Sequence, residues 1–462
     1  MSRLVSRLVC AGCGAVPDWS EPYPFRCPNA GRDDDVDHVL RRELDLSAVR
    51  FPLADDEPNP FIRYRMLLHA YHVARSRGMS DEAFSALVRE LDEKVAALDG
   101  HGFTATPFHR SSELSTALAF SDVGGVWVKD ETGNVSGSHK ARHLFGVLVY
   151  LEVAERLGLT EHEHRPELAI ASCGNAALAA GVIAAAGGRT LHVFVPADAD
   201  SLVLGRLEQL GAQVTACDRD GTSGDPTYRR LLHALDAGAV PFTCQGNLNG
   251  LAVEGGETLG WEIVSSGTAV DRLVVQVGGG ALASACIHAL GEGVALGALA
   301  AMPCIDTVQT EGAWPLKRAL DVVGKRGDAE HALRFASHHR SAFMWPWEEE
   351  PRSVAHGILD DETYDWLAVV EGMLATEGRA LVVDEETLEE ANALARETTG
   401  IDVDHTGSAG LAGVLALRAM GQVADDERVA VLFTGVVRTA HPPRRNDDEE
   451  FPRTRHPVAQ GL

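Results

Sequence analysis

From residue 168 onward, short β-branched or apolar runs alternate with longer stretches of helical periodicity. The runs are Leu168–Ser172, Thr190–Pro196, Gln213–Asp218, Ala239–Cys244, Arg272–Val277, Ile305–Thr310 and Arg428–Thr434. Alternation of this kind predicts an α/β protein with parallel sheets covered on both faces. Ligands in such folds sit on the turns at the carboxyl ends of strands. The glycines of this chain cluster on those turns. Ala176–Gly188 is apolar throughout but too short to cross a bilayer, so it reads as a buried helix. Upstream, Phe61–Ala74 has apolar residues at helical spacing, and Ser80 is placed to cap a second helix with acidic residues in its first turn. Residues 51–100 therefore read as a helical lead-in. Lys325–Asp365 breaks the rhythm with His338, His339, Trp345, Trp347 and Glu348–Glu350. A lid over a site and a surface excursion are both open readings there. The proline-rich, charged segment 441–462 is expected to be a disordered tail.

Composition narrows the class. The 462 residues carry 41 Lys+Arg against 67 Asp+Glu, a formal charge of −26. Such a surface repels phosphate backbones, which excludes general nucleic-acid binding. No apolar run is long enough for a membrane span, and Met1–Val9 lacks the apolar core of a signal peptide. Cys173, Cys217, Cys244, Cys286 and Cys304 lie in apolar stretches that read as core, consistent with a reducing cytoplasm. The other three differ. Cys10-Ala-Gly-Cys13 and Cys27-Pro resemble the two knuckles of a zinc ribbon, but Cys27-Pro-Asn-Ala30 lacks the fourth cysteine. Asp35, Asp37 or His38 could substitute, and nothing in the spacing selects one. The expectation is a degenerate ribbon over residues 1–50, held by packing and without metal.

Four elements carry chemistry. Val128-Lys-Asp-Glu-Thr-Gly-Asn-Val-Ser-Gly-Ser-His-Lys140 ends a strand in a polar turn and sets Lys140 before an apolar helix. A lysine drawn partly out of water can act as a nucleophile toward a carbonyl. Ser172-Cys173-Gly174-Asn175 follows a strand and opens a helix whose free N–H groups suit a carboxylate. Val277-Gly278-Gly279-Gly280-Ala281 lets backbone amides approach a phosphate closely. Thr434-Gly435 ends a buried strand in a hydroxyl that can face a heteroaromatic nitrogen. Each element alone is also explained by an ordinary turn.

In this order, the four resemble the fold-type II pyridoxal-phosphate enzymes, which include threonine synthase, the serine/threonine dehydratases and the tryptophan synthase β subunit. The similarity runs from about Thr106-Pro107 to Gly435. With the threonine synthases it extends to the ribbon, to Pro60-Phe61-Ile62-Arg63-Tyr64-Arg65 and to Val308-Gln309-Thr310-Glu311-Gly312. The resemblance implies two interleaved three-layer αβα domains, a large one at 101–144 and 245–440 and a small one at 145–244. It implies pyridoxal 5'-phosphate as cofactor, an amino acid as substrate, and a homodimer. By position, Lys140 matches the Schiff-base lysine and Asn175 the contact to the cofactor's phenolic oxygen. Gly278, Gly279, Gly280 and Ala281 match the phosphate cradle, and Thr434 the hydroxyl at the pyridine nitrogen. Ser138, Ser172, Cys173 and Gly174 match substrate-side positions.

Within that family, the chain departs from the threonine synthases. Asp198 and Asp200 stand where those enzymes often carry lysine, and Glu257 replaces a second lysine position. A phosphorylated substrate needs Lys or Arg clamps, and of these positions only Arg142 is retained. Ser172-Cys-Gly-Asn-Ala-Ala is similar to the serine dehydratase version, and Ser138-His139-Lys140 to tryptophan synthase β. The expectation is a dehydratase. Lys140 would remove the Cα proton, the β-hydroxyl of a serine-, threonine- or β-aryl-serine-type substrate would leave, and a 2-keto acid and ammonia would follow. Threonine synthase activity, β-replacement and a non-catalytic cofactor-binding protein remain as alternatives.

Overall fold

A computed structural model describes residues 5–31, 34–160, 165–218 and 225–438. The tail expected at 441–462 lies outside the described residues. Among the described residues, twelve strands form three sheets. β1 (Ser6–Cys10) and β2 (Leu40–Leu44) make an antiparallel pair in the ribbon. β3 (Phe108–Ser111), β4 (Gly125–Asp130), β9 (Arg272–Gln276), β10 (Cys304–Thr310), β11 (Ala380–Val383) and β12 (Arg428–Phe433) form one six-stranded sheet. Its order is β11-β10-β9-β12-β4-β3, parallel except for β3 against β4. β5 (Leu168–Ala171), β6 (Leu191–Pro196), β7 (Gln213–Cys217) and β8 (Val240–Pro241) form a parallel four-stranded sheet in the order β7-β6-β5-β8. All seven strand runs read from the alternation are present. The run at Ala239–Cys244 shrinks to two residues, because Pro241 has no N–H for the ladder and the chain bends at Thr243.

Alternation along the central strands builds two cores. Leu273, Val275, Ala430 and Leu432 face one, while Val274, Val429 and Val431 face the other. The second is roofed by the helix His405–Ala419, whose Gly413 leaves room for Val274 and Val308. On the opposite side, Lys140–Arg156 and Leu251–Ser265 cross where Gly146 meets Gly255. A Cβ on Gly146 would lie 2.8 Å from the Gly255 Cα. This close crossing brings the first turn of the Lys140 helix against Thr258 and Glu262.

Two local expectations change. Phe61–Ala74 is not one helix: Pro60–Arg63 and His69–Ser76 are separated by a 3-10 turn and by Leu68 in extended conformation. The Glu254 carboxylate accepts the His69 N–H at 2.8 Å, so a distant side chain supplies the second start. Ser80 caps Asp81–Asp99 as expected, accepting from the Ala83 N–H at 3.1 Å. The cysteines also sort differently. Cys244 and Cys286 are core, Cys217 and Cys304 are half-buried, and Cys173 is exposed. Among the described residues, no helix is long and apolar enough to cross a membrane.

Candidate active site

The turn before Lys140 is built against the end of β12. Glu131 N–H donates to Phe433 O at 2.8 Å, and the chain reverses through Gly137, whose φ of 70° suits glycine. Ser138 then bridges Gly435, and His139 N–H donates to Thr434 O at 3.3 Å. Lys140 follows as the first residue of its helix, half-buried. His139 Nδ1 also lies 3.3 Å from Thr434 O, which assigns the ring proton to Nδ1. Burial, and then the charge of Lys140, keeps His139 well below its ordinary pKa and lowers His143 to about 3, so both rings are neutral.

Thr434 is buried, and its Oγ1 accepts from Gln276 Nε2 at 2.8 Å. That amide also donates to Gly407 O and Leu432 O, so the threonine oxygen is held as an acceptor and its own hydrogen stays available. Gly435 adjoins Asn175: a Cβ there would lie 2.8 Å from Asn175 Nδ2. The chain thus brings together Ser138, His139, Asn175 and Thr434, far apart in sequence, around the start of the Lys140 helix.

Asn175 opens the helix Asn175–Ala186, with Ser172, Cys173 and Gly174 in the accessible turn before it. A residue overlooked in the sequence also sits here: Arg438 donates to Asn175 Oδ1. Its only sequence signal is its position, three residues beyond Gly435 at the end of a strand that carries a site residue. Asp404 and Asp200 bear on the Arg438 charge, and Asp198 and Asp225 on Cys173.

Two other expectations about charge are corrected. Arg142 does not face this turn. It is fully buried and paired with Glu131 and Glu262 at 2.7 Å each, with Lys129 completing the cluster. Glu257 is likewise buried against Arg42 and lies 3.5 Å from His288, away from the Cys173 turn.

The glycine turn follows β9 and opens the helix Ala281–Ala295, with Gly280 at φ 95°. The end of the irregular 325–365 stretch lies over it. Thr363 Oγ1 donates to Gly278 O at 2.9 Å and Asp365 N–H to Gly279 O at 3.0 Å. A Cβ on Gly278 would lie 2.3 Å from Asp360 Oδ2, and one on Gly279 2.9 Å from Tyr364. The tryptophans of this stretch are packed elsewhere: Arg318 lies 3.8 Å from the Trp345 ring centroid and 5.0 Å from that of Trp347. Burial raises Asp360 to about 6 and Asp365 to about 7, and the Lys140 charge eases both. The Asp360 carboxyl lies directly against the glycine turn.

These residues fit a phosphorylated heteroaromatic group. The three glycines open a helix N-terminus, and a Cβ on any of them would collide with Asp360, Tyr364 or Thr363, so only glycine fits there. Ser138 Oγ is buried and has no hydrogen-bond partner among the described residues, and Thr434 retains a hydrogen to donate. The family model described as "Pyridoxal-phosphate dependent enzyme" matches residues 101–435. The chain belongs to this family. Its cofactor is accordingly pyridoxal 5'-phosphate. The threonine synthase of Methanosarcina acetivorans is 27% identical over 336 residues, covering 71% of this chain and 74% of its own. An L-threonine ammonia-lyase of Thermotoga maritima is 28% identical over 221 residues, 46% of this chain and 50% of its own. A fungal L-serine ammonia-lyase from Rhizomucor miehei shares the fold, with a TM-score of 0.55 at 18% identity over 72% of this chain and 94% of that one. The tryptophan synthase β-like α/β architecture expected from the motifs is therefore the one observed.

Proposed function

We propose that this enzyme eliminates the β-hydroxyl of a serine-, threonine- or β-aryl-serine-type amino acid, giving a 2-keto acid and ammonia. One observation carries this reading: the electrostatics of the Ser172–Asn175 turn. Asp198, Asp200, Asp225 and Asp404 bear on Cys173 and Arg438, while Arg142 is committed to buried carboxylates. A substrate phosphate dianion would meet four acids and one arginine there, whereas an amino acid brings one carboxylate to be held.

Bound pyridoxal phosphate supplies a carbonyl for the amine and a ring that draws electrons from Cα. The chain does the rest. Gly278, Gly279, Gly280 and Ala281 hold the phosphate at the head of their helix. The Thr434 hydroxyl, accepting from Gln276, donates its hydrogen toward the ring nitrogen. A neutral hydroxyl there leaves the ring a moderate electron sink, which suits elimination. Ser138, Ser172, Cys173, Gly174 and Asn175 bind and orient the substrate, and Lys140 takes the proton from Cα. The reading includes a small domain at 145–244 set into a large one at 101–144 and 245–440, and a homodimer in the cytoplasm.

Arg438 favours a second reading, threonine synthase activity, because its guanidinium offers one cation beside Asn175. The test is a substrate panel of L-serine, L-threonine, L-phenylserine and O-phosphohomoserine, scoring keto acid against threonine. Keto acid from one of the first three supports elimination. Threonine from O-phosphohomoserine would sink it in favour of the second reading.

A further inference from the structure

The geometry points to a zinc centre in the N-terminal ribbon, with Cys10, Cys13, Cys27 and His38 as its four ligands. The four donor atoms all lie within 4.8 Å of one another. Cys13 Sγ and Cys27 Sγ are 3.6 Å apart, and Cys10 Sγ lies 3.4 Å from His38 Nδ1. Zinc bonds of about 2.3 Å to sulfur and about 2.0–2.1 Å to nitrogen give a tetrahedron with S···S edges of about 3.8 Å and S···N edges of about 3.5 Å. A disulfide would need about 2.05 Å between the sulfurs. The Cys13–Cys27 and Cys10–His38 spacings match two edges of a tetrahedral S₃N set, and the remaining donors lie within 4.8 Å, an arrangement that suits zinc.

The surroundings are those a metal-bound set requires. His38 Nε2 is 2.6 Å from Asp34 Oδ2, so its proton sits on Nε2 and the Nδ1 lone pair faces the sulfurs. A carboxylate behind a ligating histidine fixes that tautomer and strengthens the ligand. Backbone amides address two sulfurs: Cys13 N–H donates to Cys10 Sγ at 3.5 Å, and Asn29 N–H to Cys27 Sγ at 3.4 Å. The local core consists of Cys10, Cys27 and Leu40, flanked by Cys13, Ala15 and Ala30, so sulfur forms much of its centre. A unit this small holds its shape with a staple. Of the three substitutes left open by sequence, Asp35 and Asp37 are used otherwise. Asp35 accepts from Ser341 N–H, and Asp37 from Arg340 and Trp366.

The centre also reaches the cofactor cradle. Asp37, next to His38, donates its N–H to Ser337 O at 2.8 Å and accepts from Trp366 Nε1 at 3.2 Å. Trp366 adjoins Asp365, which closes on Gly279. The ribbon loop that carries His38 thereby touches the stretch that covers the cradle.

The test is metal analysis of the full-length protein, purified without chelators from zinc-supplemented cells. About one zinc per chain is expected by mass spectrometry, with loss in Cys13→Ser and in His38→Ala. Cys217→Ser, a thiol outside the ribbon, should retain zinc. His38→Cys should also retain it, which separates ligand loss from misfolding. Asp34→Asn should weaken zinc affinity about 10–100-fold with every ligand in place. Cobalt substitution should give thiolate-to-cobalt absorption that Cys13→Ser weakens. Wild-type protein without zinc, iron in its place, or zinc content indifferent to the Cys13 and His38 substitutions would overturn the assignment.

Discussion

Arg142 offers the sharpest test of the charge argument. Its guanidinium has no measurable exposure and donates to Glu131 at 2.7 and 3.0 Å and to Glu262 at 2.7 and 3.1 Å, with Thr258 and Thr106 hydroxyls at 3.1 Å. Lys129 Nζ adds 2.5 Å to Glu262, so two cations face two carboxylates. Burial works against the Glu262 carboxylate, but Arg142 and Lys129 outweigh it and hold its pKa below the ordinary value. Arg142→Met removes one cation and leaves a net negative charge in the core. Breaking a buried pair from one side costs about 3–5 kcal/mol. The companion Arg142→Met/Glu131→Gln removes one charge of each sign and should recover part of that loss, a coupling of about 1–3 kcal/mol in a double-mutant cycle. Chemical denaturation of the cofactor-loaded protein gives the numbers. A stable Arg142→Met protein whose only defect is a raised KM for O-phosphohomoserine would refute this reasoning. It would return Arg142 to the role of phosphate clamp.

Three further outcomes follow from the cradle and the ring contact. Asp365, raised to about 7 from an ordinary 3.8, keeps its proton in the folded state where the unfolded chain has lost it. Stability should therefore fall as pH rises from about 4 to about 7, by on the order of 4 kcal/mol for this group, and Asp365→Asn should flatten that slope in pH-dependent denaturation. Gly280→Ala meets a φ of 95° and a Thr363 methyl at 2.9 Å, so strain of about 1–2 kcal/mol should speed cofactor loss on dialysis. Thr434→Val leaves Gln276 with two carbonyl acceptors. Stability should change by only about 1 kcal/mol, while the visible absorbance of bound cofactor shifts; an unshifted spectrum would remove the hydroxyl from the ring nitrogen.

Much of the architecture was legible because local rules write it. β-branched runs and helical periods located seven strands, and Ser80 marked a helix start. Glycines marked the turns at the carboxyl ends of strands. What failed depended on remote partners. The helix break at Leu68 needs Glu254. The expectation that Cys173 is core read its apolar neighbours and missed that it lies in the exposed turn after a strand. β11 was overlooked because Ala380–Val383 is short and lies at a sheet edge.

The acidic balance shows the same division. Composition alone established an excess of negative charge and, with the motif order, the family. Which acids lie near the Ser172–Asn175 turn was settled only in three dimensions: the charges of Asp198 and Asp200 bear on Cys173 and Arg438, whereas Glu257 is turned to Arg42. Likewise, Cys10, Cys13 and Cys27 announced a ribbon, but only folding brought His38 to them. Periodicity and turn chemistry act between neighbours along the chain, so sequence determines them. The partner of a charge, or the fourth corner of a tetrahedron, is set by which helices and loops cross in space, and no local pattern records that.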